Sequence, residues 1–350
     1  MRYEIRAATR ADREDLLELS AHLDSVNLPH DADEIEAILD VSERSFTAQI
    51  ENVRDRQYVF VLRDLEAHRA VGTSMIIAQL GSRYFPYVFF DVRNEERYSA
   101  TLDKHFVHEV LTMGYSYHGP TEIGGLVVHP DARKAPERLG MLISYARFLY
   151  IAARRDLFQA RVLAELMPPL EPDGTSHLWE AVGRHFTGLT YREADRLSKK
   201  NKEFIRGLFP SGDIYVSLLP EAAQAVIGEV GRETRGVAKM LTRIGFRYNH
   251  RIDPFDGGPH YMAATEEIEL VQRSRRGPLH GGDPSADGDH ARLCLVAAIG
   301  DAAPHFHAVP ARVRLAPEEI VVRGAALEHL QLPDGARAWF CPCTEGLRKK

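Results

Sequence analysis

Long apolar runs are absent from this sequence, and that absence excludes a membrane-spanning protein. No stretch approaches the roughly 20 consecutive apolar residues that a transmembrane helix needs. The N-terminal residues are charged from Arg2 onward and lack the apolar segment of a secretory signal. We therefore expect a cytoplasmic location and no membrane partner.

Cysteine is scarce, with three residues, Cys294, Cys341 and Cys343. An odd number placed late in the chain argues against a disulfide framework, so free thiols are expected. Cys341 and Cys343 with His305 and His307 resemble a crude zinc ligand set. Their spacing fits no established zinc pattern, so no metal is predicted.

A strong positive charge is absent as well. The formal net charge is -6, so the protein has no global positive field, and nucleic acid is not an expected partner. The 350 residues are 44% hydrophobic and 27% charged, which is typical of a soluble globular protein and sufficient for more than one domain.

The first pattern in the sequence is that of an α/β protein. Tyr3 to Ala7 alternates in the manner of a strand, and Thr9 with Asp12 approximates a capping box at the start of a helix. Residues 57–63 and 71–78 are strand-like runs joined by charged turn residues, which predicts an antiparallel hairpin.

The stretch GLVVHPDARKAPERLGMLIS, residues 125–144, continues this pattern. It contains the end of a predicted strand, Glu122 to Val128, which stops at Pro130 and leads through a basic loop into a helix. The apolar residues of that helix recur at spacings of three and four and predict one buried stripe. They are Leu139, Leu142, Ile143, Ala146, Leu149, Tyr150 and Ala153.

The remaining pattern divides the chain into predicted domains. Residues 1–197 form a first α/β domain, and residues 198–276 form a second, similar unit. Residues 277–290, GPLHGGDPSADGDH, are rich in turn formers and predict a linker. Strand-like runs in residues 291–350 predict a small β domain. The aromatic run Tyr84 to Phe90 is expected to be a core strand rather than an interface.

The basic loop after Val128 has the properties of an anion site. A helix N-terminus offers unpaired backbone N–H groups and a positive dipole end, and both suit a phosphate. Arg133, Lys134 and Arg138 would add charge, while Gly140 would permit close approach. Neither of the common glycine-rich nucleotide motifs is present, so an ordinary loop with solvated cations stays an alternative.

The order of elements resembles the GNAT acyl-CoA transferase superfamily, and the chain resembles the arginine N-succinyltransferase family within it. The resemblance covers most of the first 275 residues and rests on several irregular segments in the same order. They are Tyr58 to Leu62, Pro130-Asp131 with Arg133-Lys134, Ala164-Glu165, Ala223-Gln224 with Val226-Ile227-Gly228, Gly245 to Tyr248, and Phe255 to Pro259.

The resemblance implies an α/β (α+β) fold with tandem GNAT-like mixed sheets flanked by helices, plus the small C-terminal β domain. It also implies transfer of a succinyl group from succinyl-CoA, a co-substrate, to the α-amino group of arginine in arginine catabolism. No tightly bound cofactor is expected. The position matching Leu126 contacts succinyl-CoA in the family, and the basic loop holds the coenzyme A diphosphate. The residues assigned to this coenzyme are Leu126, Val127, Val128, Arg133, Lys134, Arg138, Leu139 and Gly140.

The chain departs from the family pattern at the proton donor. The position that matches the family's donor histidine is Gly231. His250 is the predicted replacement, and His260 is an alternative; both flank the Phe-Asp-Gly-Gly-Pro segment. Glu122 is the candidate base for the incoming amine, with a charged strand-end residue as the alternative.

Asp256 is the predicted binding residue for the amine substrate, because a carboxylate matches a guanidinium or amine. A turn-forming role for Asp256 is an equally good interpretation. Two other functions stay open: an N-acyltransferase with a different acyl donor or acceptor, and a non-catalytic acyl-CoA-binding subunit of a hetero-oligomer. Either homo- or hetero-oligomers are compatible with the sequence.

Overall fold

The computed structural model describes residues 1–22, 27–83, 85–198, 201–285, 291–301, 303–315 and 320–343. Contacts divide the chain into two compact units. Unit 1 comprises Met1–Gln79, Thr121–Ala160 and Ala264–Lys350, and unit 2 comprises Leu80–Pro120 and Arg161–Ala263. Among the helices of the described residues, none combines the length and apolarity needed to cross a bilayer.

Strands and helices are both abundant, as expected for the α/β class. The strands are β1 (Tyr3–Ala7), β2 (Gln57–Asp64), β3 (Arg69–Ile77), β4 (Tyr87–Ser99), β5 (Lys104–Ser116), β6 (Thr121–Val128), β7 (Arg161–Glu165), β8 (Ile214–Tyr215), β9 (Arg247–Ile252), β10 (Pro259–Ala264), β11 (Arg275–Gly281), β12 (Arg292–Ile299), β13 (Phe306–Leu315), β14 (Ile320–Val322) and β15 (Arg337–Pro342). The α-helices are α1 (Arg13–Ser20), α2 (Ala32–Phe46), α3 (Leu139–Ala153), α4 (Arg184–Thr187), α5 (Tyr191–Ser198), α6 (Glu203–Leu208), α7 (Glu221–Gln224), α8 (Arg235–Arg243), α9 (Glu269–Arg273) and α10 (Gly324–Leu330).

Unit 1 begins with an antiparallel sheet in the order β1–β2–β3–β6. The predicted hairpin is confirmed as β2 and β3, and the capping box of Thr9 and Asp12 is present ahead of α1. Val59 of β2 packs with residues of α1 and α2, whereas its neighbour Tyr58 contacts Tyr150 of α3. Because helices cover both faces of the sheet, β2 is a continuous apolar run rather than an alternating one.

Helix α3 is more deeply buried than its sequence pattern predicts. The expected single stripe is wrong, since every residue from Leu142 to Ile151 is buried, including Ser144 and Arg147. The sheet strands β2, β3 and β6 contact the helix, and so do α9, β12, β13 and β15. A helix covered by neighbours on several sides has no solvent face, which explains the loss of the expected polar side.

The C-terminal strands of unit 1 close into a ring. The pairing order β12–β15–β11–β14–β13 returns to β12 through the additional β12–β13 pair. All of these pairs are antiparallel except β11 with β14. Cys294, Cys341 and Cys343 are buried free thiols here, as expected.

The C-terminal part of the chain differs from the sequence prediction in two respects. The segment predicted as a linker, residues 277–290, contains most of β11, whose Arg275 to Pro278 pair with β15; residues 286–290 lie outside the described part. Turn-forming residues occur there because the strand is short and leads directly into turns. Strands β12 to β15 lie in the segment predicted as a small β domain, but β11 joins them, and β13 also pairs with β1 of the same unit.

Unit 2 contains a sheet in the order β7–β10–β9–β4–β5–β8. A cluster of aromatic and aliphatic side chains packs beside it, with Trp179 stacked on Phe255 at a ring separation of 5.0 Å. In the aromatic run, Tyr87 to Phe90 are buried as predicted, Phe85 is exposed, and Tyr84 lies outside the described residues. The serial domain boundaries at residues 197, 276 and 290 stay a prediction about independent folding.

Candidate functional site

Strand β6 contains a β-bulge in unit 1. In its pairing with β3, Thr73 lies opposite Val127 and Met75 lies opposite Gly124, so two steps along β3 match three along β6. Gly125, inside this step, has a φ of +55°, a conformation that side chains disfavour. A bulge leaves the extra residue unpaired and disrupts the local ladder, so backbone groups near Leu126 can face a ligand.

Beyond the bulge, the side chains of β6 point into the protein. Val127 and Val128 are 4% and 8% exposed, while Leu126 is partly exposed. The two valines can therefore offer only their backbones to a coenzyme. Leu139, at the start of α3, is 1% exposed and can likewise offer only its backbone.

The basic loop contains three exposed cations, of which Arg133 is anchored by a hydrogen bond. Arg133 Nε donates to the carbonyl oxygen of Val128 at 2.9 Å, which ties the loop to the strand end. Lys134 and Arg138 are exposed and form no ion pair with any residue in the described part of the chain. Two positive side chains are thus available for an anion.

The start of α3 presents backbone donors. Met141 and Leu142 donate to the carbonyl oxygen of Arg138 at 2.9 and 3.2 Å. The N–H groups of Leu139 and Gly140 have no acceptor among the described residues, as expected for the first turn of a helix. Arg138 immediately before them has φ 58° and ψ 53°, a left-handed conformation that is costly for a residue with a side chain.

Glu122 lies near the beginning of β6 and is 5% exposed. Asn27 Nδ2 donates to Glu122 Oε1 at 2.7 Å, which fixes the orientation of the carboxylate. A Cβ atom added at Gly124 would lie 2.3 Å from Asn27 Nδ2. The chain therefore requires a glycine at this position to accommodate the Asn27–Glu122 pair.

Arg147 of α3 is a buried cation beside the bulge. It is 2% exposed, and it donates to Ser144 Oγ at 2.7 Å and to the carbonyl oxygen of Gly124 at 3.3 Å. No carboxylate among the described residues pairs with it. Burial lowers the pKa of Arg147 to about 9, which is still high enough for a cation at neutral pH.

Gly231 is packed against backbone in unit 2. Its N–H donates to the carbonyl oxygen of Met167 at 2.9 Å, and an added Cβ would lie 2.5 Å from the carbonyl oxygen of Pro168. The local packing has therefore adapted to the absence of a side chain at this position.

A buried histidine of unit 2 lies among oxygen atoms. His260 of β10 is 0% exposed, and its Nδ1 lies 2.8 Å from the hydroxyl oxygen of Tyr87. Its Nε2 has no hydrogen-bond partner among the described residues and lies 3.6 Å from Glu165 Oε1. Asp253 contributes a further oxygen, and the ligand atoms of Glu165, Asp253 and His260 all lie within 4.8 Å of one another.

The two remaining predicted residues also belong to unit 2. His250 is exposed in β9 at a φ of 58°. Asp256 Oδ1 accepts from the N–H of Gly258 at 2.7 Å, which is the turn-forming arrangement. Burial and the neighbouring Asp253 raise the pKa of Asp256 well above its usual value.

Comparison with known proteins gives a consistent result. A family model described as arginine N-succinyltransferase beta subunit matches residues 3–270. The arginine N-succinyltransferase of Photorhabdus laumondii is 31% identical over 333 residues, which cover 94% of this chain and 95% of the relative. This chain belongs to the arginine N-succinyltransferase family. The family member from Escherichia coli O139:H28 is likewise 31% identical over 336 residues, 95% of each chain.

A solved structure in the family confirms the fold. The arginine/ornithine succinyltransferase subunit AI from Pseudomonas aeruginosa has a TM-score of 0.84 and 29% identity, and the match covers 98% of this chain and 99% of that chain. The mixed helix-and-strand, GNAT-type architecture that the sequence predicted is therefore confirmed.

Several residues around these features had no role predicted from the sequence. Asn27 and Tyr87 gave no signal, because their partners Glu122 and His260 are 95 and 173 positions away along the chain. Arg147 does carry a sequence signal, because it is a lone cation within the apolar run of the α3 sequence. Glu165 lies in a segment that resembles the arginine N-succinyltransferase family, but the sequence predicted no role for this residue.

Proposed function

We propose that this protein transfers a succinyl group from succinyl-CoA to the α-amino group of arginine, as a step in arginine catabolism. The observation that carries this proposal is the pair of unbonded N–H groups of Leu139 and Gly140 beside the exposed Lys134 and Arg138. The family membership supports the same reaction, since the relatives are named as arginine N-succinyltransferases.

The loop is proposed to bind the diphosphate of the coenzyme. Helix N–H groups and a positive dipole end stabilise phosphate oxygens, and cationic side chains add charge-assisted hydrogen bonds. Lys134 and Arg138 supply the cations, while Arg133 holds the loop against the end of β6. The pantetheine arm would then follow the backbone of Val128 and Val127 toward the bulge at Leu126.

The bulge and Glu122 are proposed to promote acyl transfer. The amine nitrogen attacks the thioester carbonyl carbon, forming a C–N bond, and the C–S bond then breaks. Backbone N–H groups near Leu126 stabilise the oxyanion, and Glu122 accepts the proton that the amine loses. Asn27 holds the Glu122 carboxylate for this role.

The coenzyme A sulfur leaves as a thiolate and takes up a proton. An alkyl thiol has a pKa of roughly 8.5, so the thiolate can leave even when proton transfer is late. Of the two candidate donors, His250 is favoured because it is exposed and can exchange protons with solvent. His260 is disfavoured because burial lowers its pKa to about 3, which keeps its ring neutral.

A non-catalytic acyl-CoA-binding subunit is a second candidate, favoured by one observation. The position of the family's donor histidine is Gly231, and the surrounding backbone leaves no space for a side chain. The relative of known structure is described as a subunit, so homo- or hetero-oligomeric assembly is part of both candidates. We propose a cytoplasmic location, succinyl-CoA as co-substrate and no tightly bound cofactor.

Release of free thiol from succinyl-CoA with a panel of amino acids tests the reaction. Release that depends on arginine supports the succinyltransferase, and release with another amine alone indicates a different acceptor. Binding of succinyl-CoA without release with any amine supports the non-catalytic subunit. Absence of binding would refute all three.

The loop assignment has its own test. The double variant Lys134→Gln/Arg138→Gln should bind succinyl-CoA more weakly, by about 10-fold or more, because two charge-assisted contacts are lost. Its affinity for succinyl-pantetheine, which lacks the diphosphate, should stay at the wild-type value. An equal loss for both ligands would place the diphosphate elsewhere.

A further inference from the structure

The cluster of Glu165, Asp253 and His260 in unit 2 has no role in the steps above. Glu165 ends β7, Asp253 follows the last residue of β9, and His260 is the second residue of β10. These strands are neighbours in the order β7–β10–β9, so the three side chains meet at one end of the sheet. Glu165 is exposed and His260 is fully buried, so the cluster extends from the surface into the unit.

The backbone holds this arrangement in place. Leu166 donates to the carbonyl oxygen of Pro259 at 3.1 Å, which joins the residue after Glu165 to the residue before His260. Asp253 Oδ1 accepts from the N–H of Phe255 at 2.6 Å, which fixes the Asp253 carboxylate at the start of the turn. The cluster is therefore preformed rather than assembled from mobile side chains.

One ring nitrogen of His260 lacks a hydrogen-bond partner among the described residues. Its Nε2 is completely buried, has no hydrogen-bond partner among the described residues, and is directed toward Glu165 at 3.6 Å. Buried polar atoms of this kind are rare and call for a partner. The second nitrogen, Nδ1, is already engaged by Tyr87 at 2.8 Å.

The charges around His260 favour a positively charged ligand. Glu165 and Asp253 are the carboxylates that face the ring, and Arg251 and Lys202 are the cations whose charges act on it. Burial raises the pKa of Asp253, because removal from water disfavours its charged form. A cation placed between Glu165 and Asp253 would lower the free-energy cost of keeping Asp253 charged.

We propose that Glu165, Asp253 and His260 form the binding site for the guanidinium group of the acyl acceptor. This inference rests on the proposed function and identifies the end of the substrate that does not react. The α-amino group must become neutral before it attacks a thioester, and two neighbouring carboxylates would hold an amine in its charged form. A guanidinium stays charged at every physiological pH and matches carboxylates in a planar fork, so it suits this site.

Direct binding of amino acids tests the site without relying on turnover. Arginine, ornithine and citrulline are titrated calorimetrically against the full-length protein with coenzyme A present. Citrulline has nearly the shape of arginine but carries a neutral urea group. Wild-type protein should bind arginine at least about 10-fold more tightly than citrulline, because charge-assisted hydrogen bonds are lost with citrulline.

Glu165→Gln is the main variant, since Glu165 is exposed and its replacement should leave the fold intact. It should weaken arginine binding by about 10-fold or more and reduce the preference over citrulline, with unchanged affinity for succinyl-CoA. Asp253→Asn should act in the same direction. The control is Glu171→Gln, an exposed carboxylate of the same unit that pairs with His177 and should leave binding unchanged.

Other results would overturn the inference. Equal arginine affinity in wild type and Glu165→Gln would do so, as would a wild-type protein that does not distinguish arginine from citrulline. In a further experiment, chelator-treated protein is titrated with Zn²⁺ or Mg²⁺ alone to test for metal binding. Metal binding that is lost in Glu165→Gln, with arginine binding unaffected, would make the cluster a metal site. If arginine binds as expected but no succinyl transfer occurs, the proposed function fails and this site stands.

Discussion

The guanidinium of Arg147 in α3 lies 3.3 Å from the carbonyl oxygen of Gly124, the residue before the bulge in β6. Arg147 is 2% exposed, and no carboxylate among the described residues neutralises it. A buried cation without a carboxylate partner is costly for folding, so replacement by an apolar residue of similar size removes that cost. Its position beside the bulge suggests that it holds the Gly124 carbonyl and thereby orients the amides near Leu126.

Arg147→Met should therefore separate stability from activity. We expect a melting temperature equal to or above that of the wild type, but a kcat lower by about 10-fold, corresponding to about 1.4 kcal/mol of lost orientation at the bulge. Thermal unfolding and steady-state kinetics measure the two effects. Arg147→Lys, which keeps a hydrogen-bond donor, should have a kcat between those of the wild type and Arg147→Met. Full activity in Arg147→Met would show that the contact has no functional role.

The Asn27–Glu122 pair leads to a second prediction. Glu122→Gln should lower kcat by about 100-fold or more, the usual contribution of a positioned base, and leave the KM for succinyl-CoA unchanged. Gly124→Ala should have a smaller effect in the same direction, because the new Cβ would displace Asn27. The measurement is initial velocity against both substrates. A change confined to KM would assign Glu122 to binding instead.

Arg138 gives a prediction about the loop. Glycine adopts its left-handed conformation more readily, so Arg138→Gly should leave the free energy of unfolding unchanged or raise it by up to about 1 kcal/mol. The lost charge should weaken succinyl-CoA binding about fivefold. His68, also at a positive φ of 55°, offers the matched control: His68→Gly should affect stability similarly but not binding. Equal succinyl-CoA affinity in both variants would exclude Arg138 from the site.

Restoring the family's histidine should fail. Gly231→His places a Cβ 2.5 Å from the carbonyl oxygen of Pro168 and 2.8 Å from that of Met167. We expect destabilisation by about 1–3 kcal/mol, typical of overpacking, and no gain in kcat. Gly231→Ala should be destabilised to a similar extent, since the clash begins at Cβ. Chemical denaturation and kinetics measure both, and a stable variant with higher kcat would contradict the packing argument.

A pH dependence of stability is expected from Glu4. His307 Nε2 and His329 Nε2 lie 3.1 and 2.8 Å from Glu4 Oε2. The hydrogen bond from His307 lowers the pKa of Glu4 to about 2, from 4.5, although burial opposes this shift. Because the folded pKa is the lower one, the carboxylate stabilises the fold above pH 4.5, and this contribution, at most about 3 kcal/mol, is lost as pH falls toward 2.

Glu4→Gln tests that prediction. The variant should be less stable than the wild type at pH 7, and its stability should fall less steeply between pH 4.5 and 2. Denaturation curves collected across this range provide the comparison. Parallel curves for the two proteins would show that the fold does not depend on the ionisation of Glu4.

The local features of this protein follow from its sequence alone. The capping box at Thr9, the β2–β3 hairpin and the passage from β6 through the basic loop into α3 depend on neighbouring residues and on hydrophobic periodicity. The exposed cations Lys134 and Arg138 were predictable for the same reason. The family could be recognised because its irregular segments occur in order along one chain.

Tertiary structure decided what depends on residues far apart in sequence. The bulge at Gly125 exists only through the register with β3, and Arg147 of α3 is buried beside β6, where it donates to the carbonyl oxygen of Gly124. Tyr87 meets His260 only after β4, β9 and β10 have paired. Periodicity reports which face of a segment is apolar, but not which distant segment covers it, so the partners of buried polar groups emerge only when the sheets are assembled.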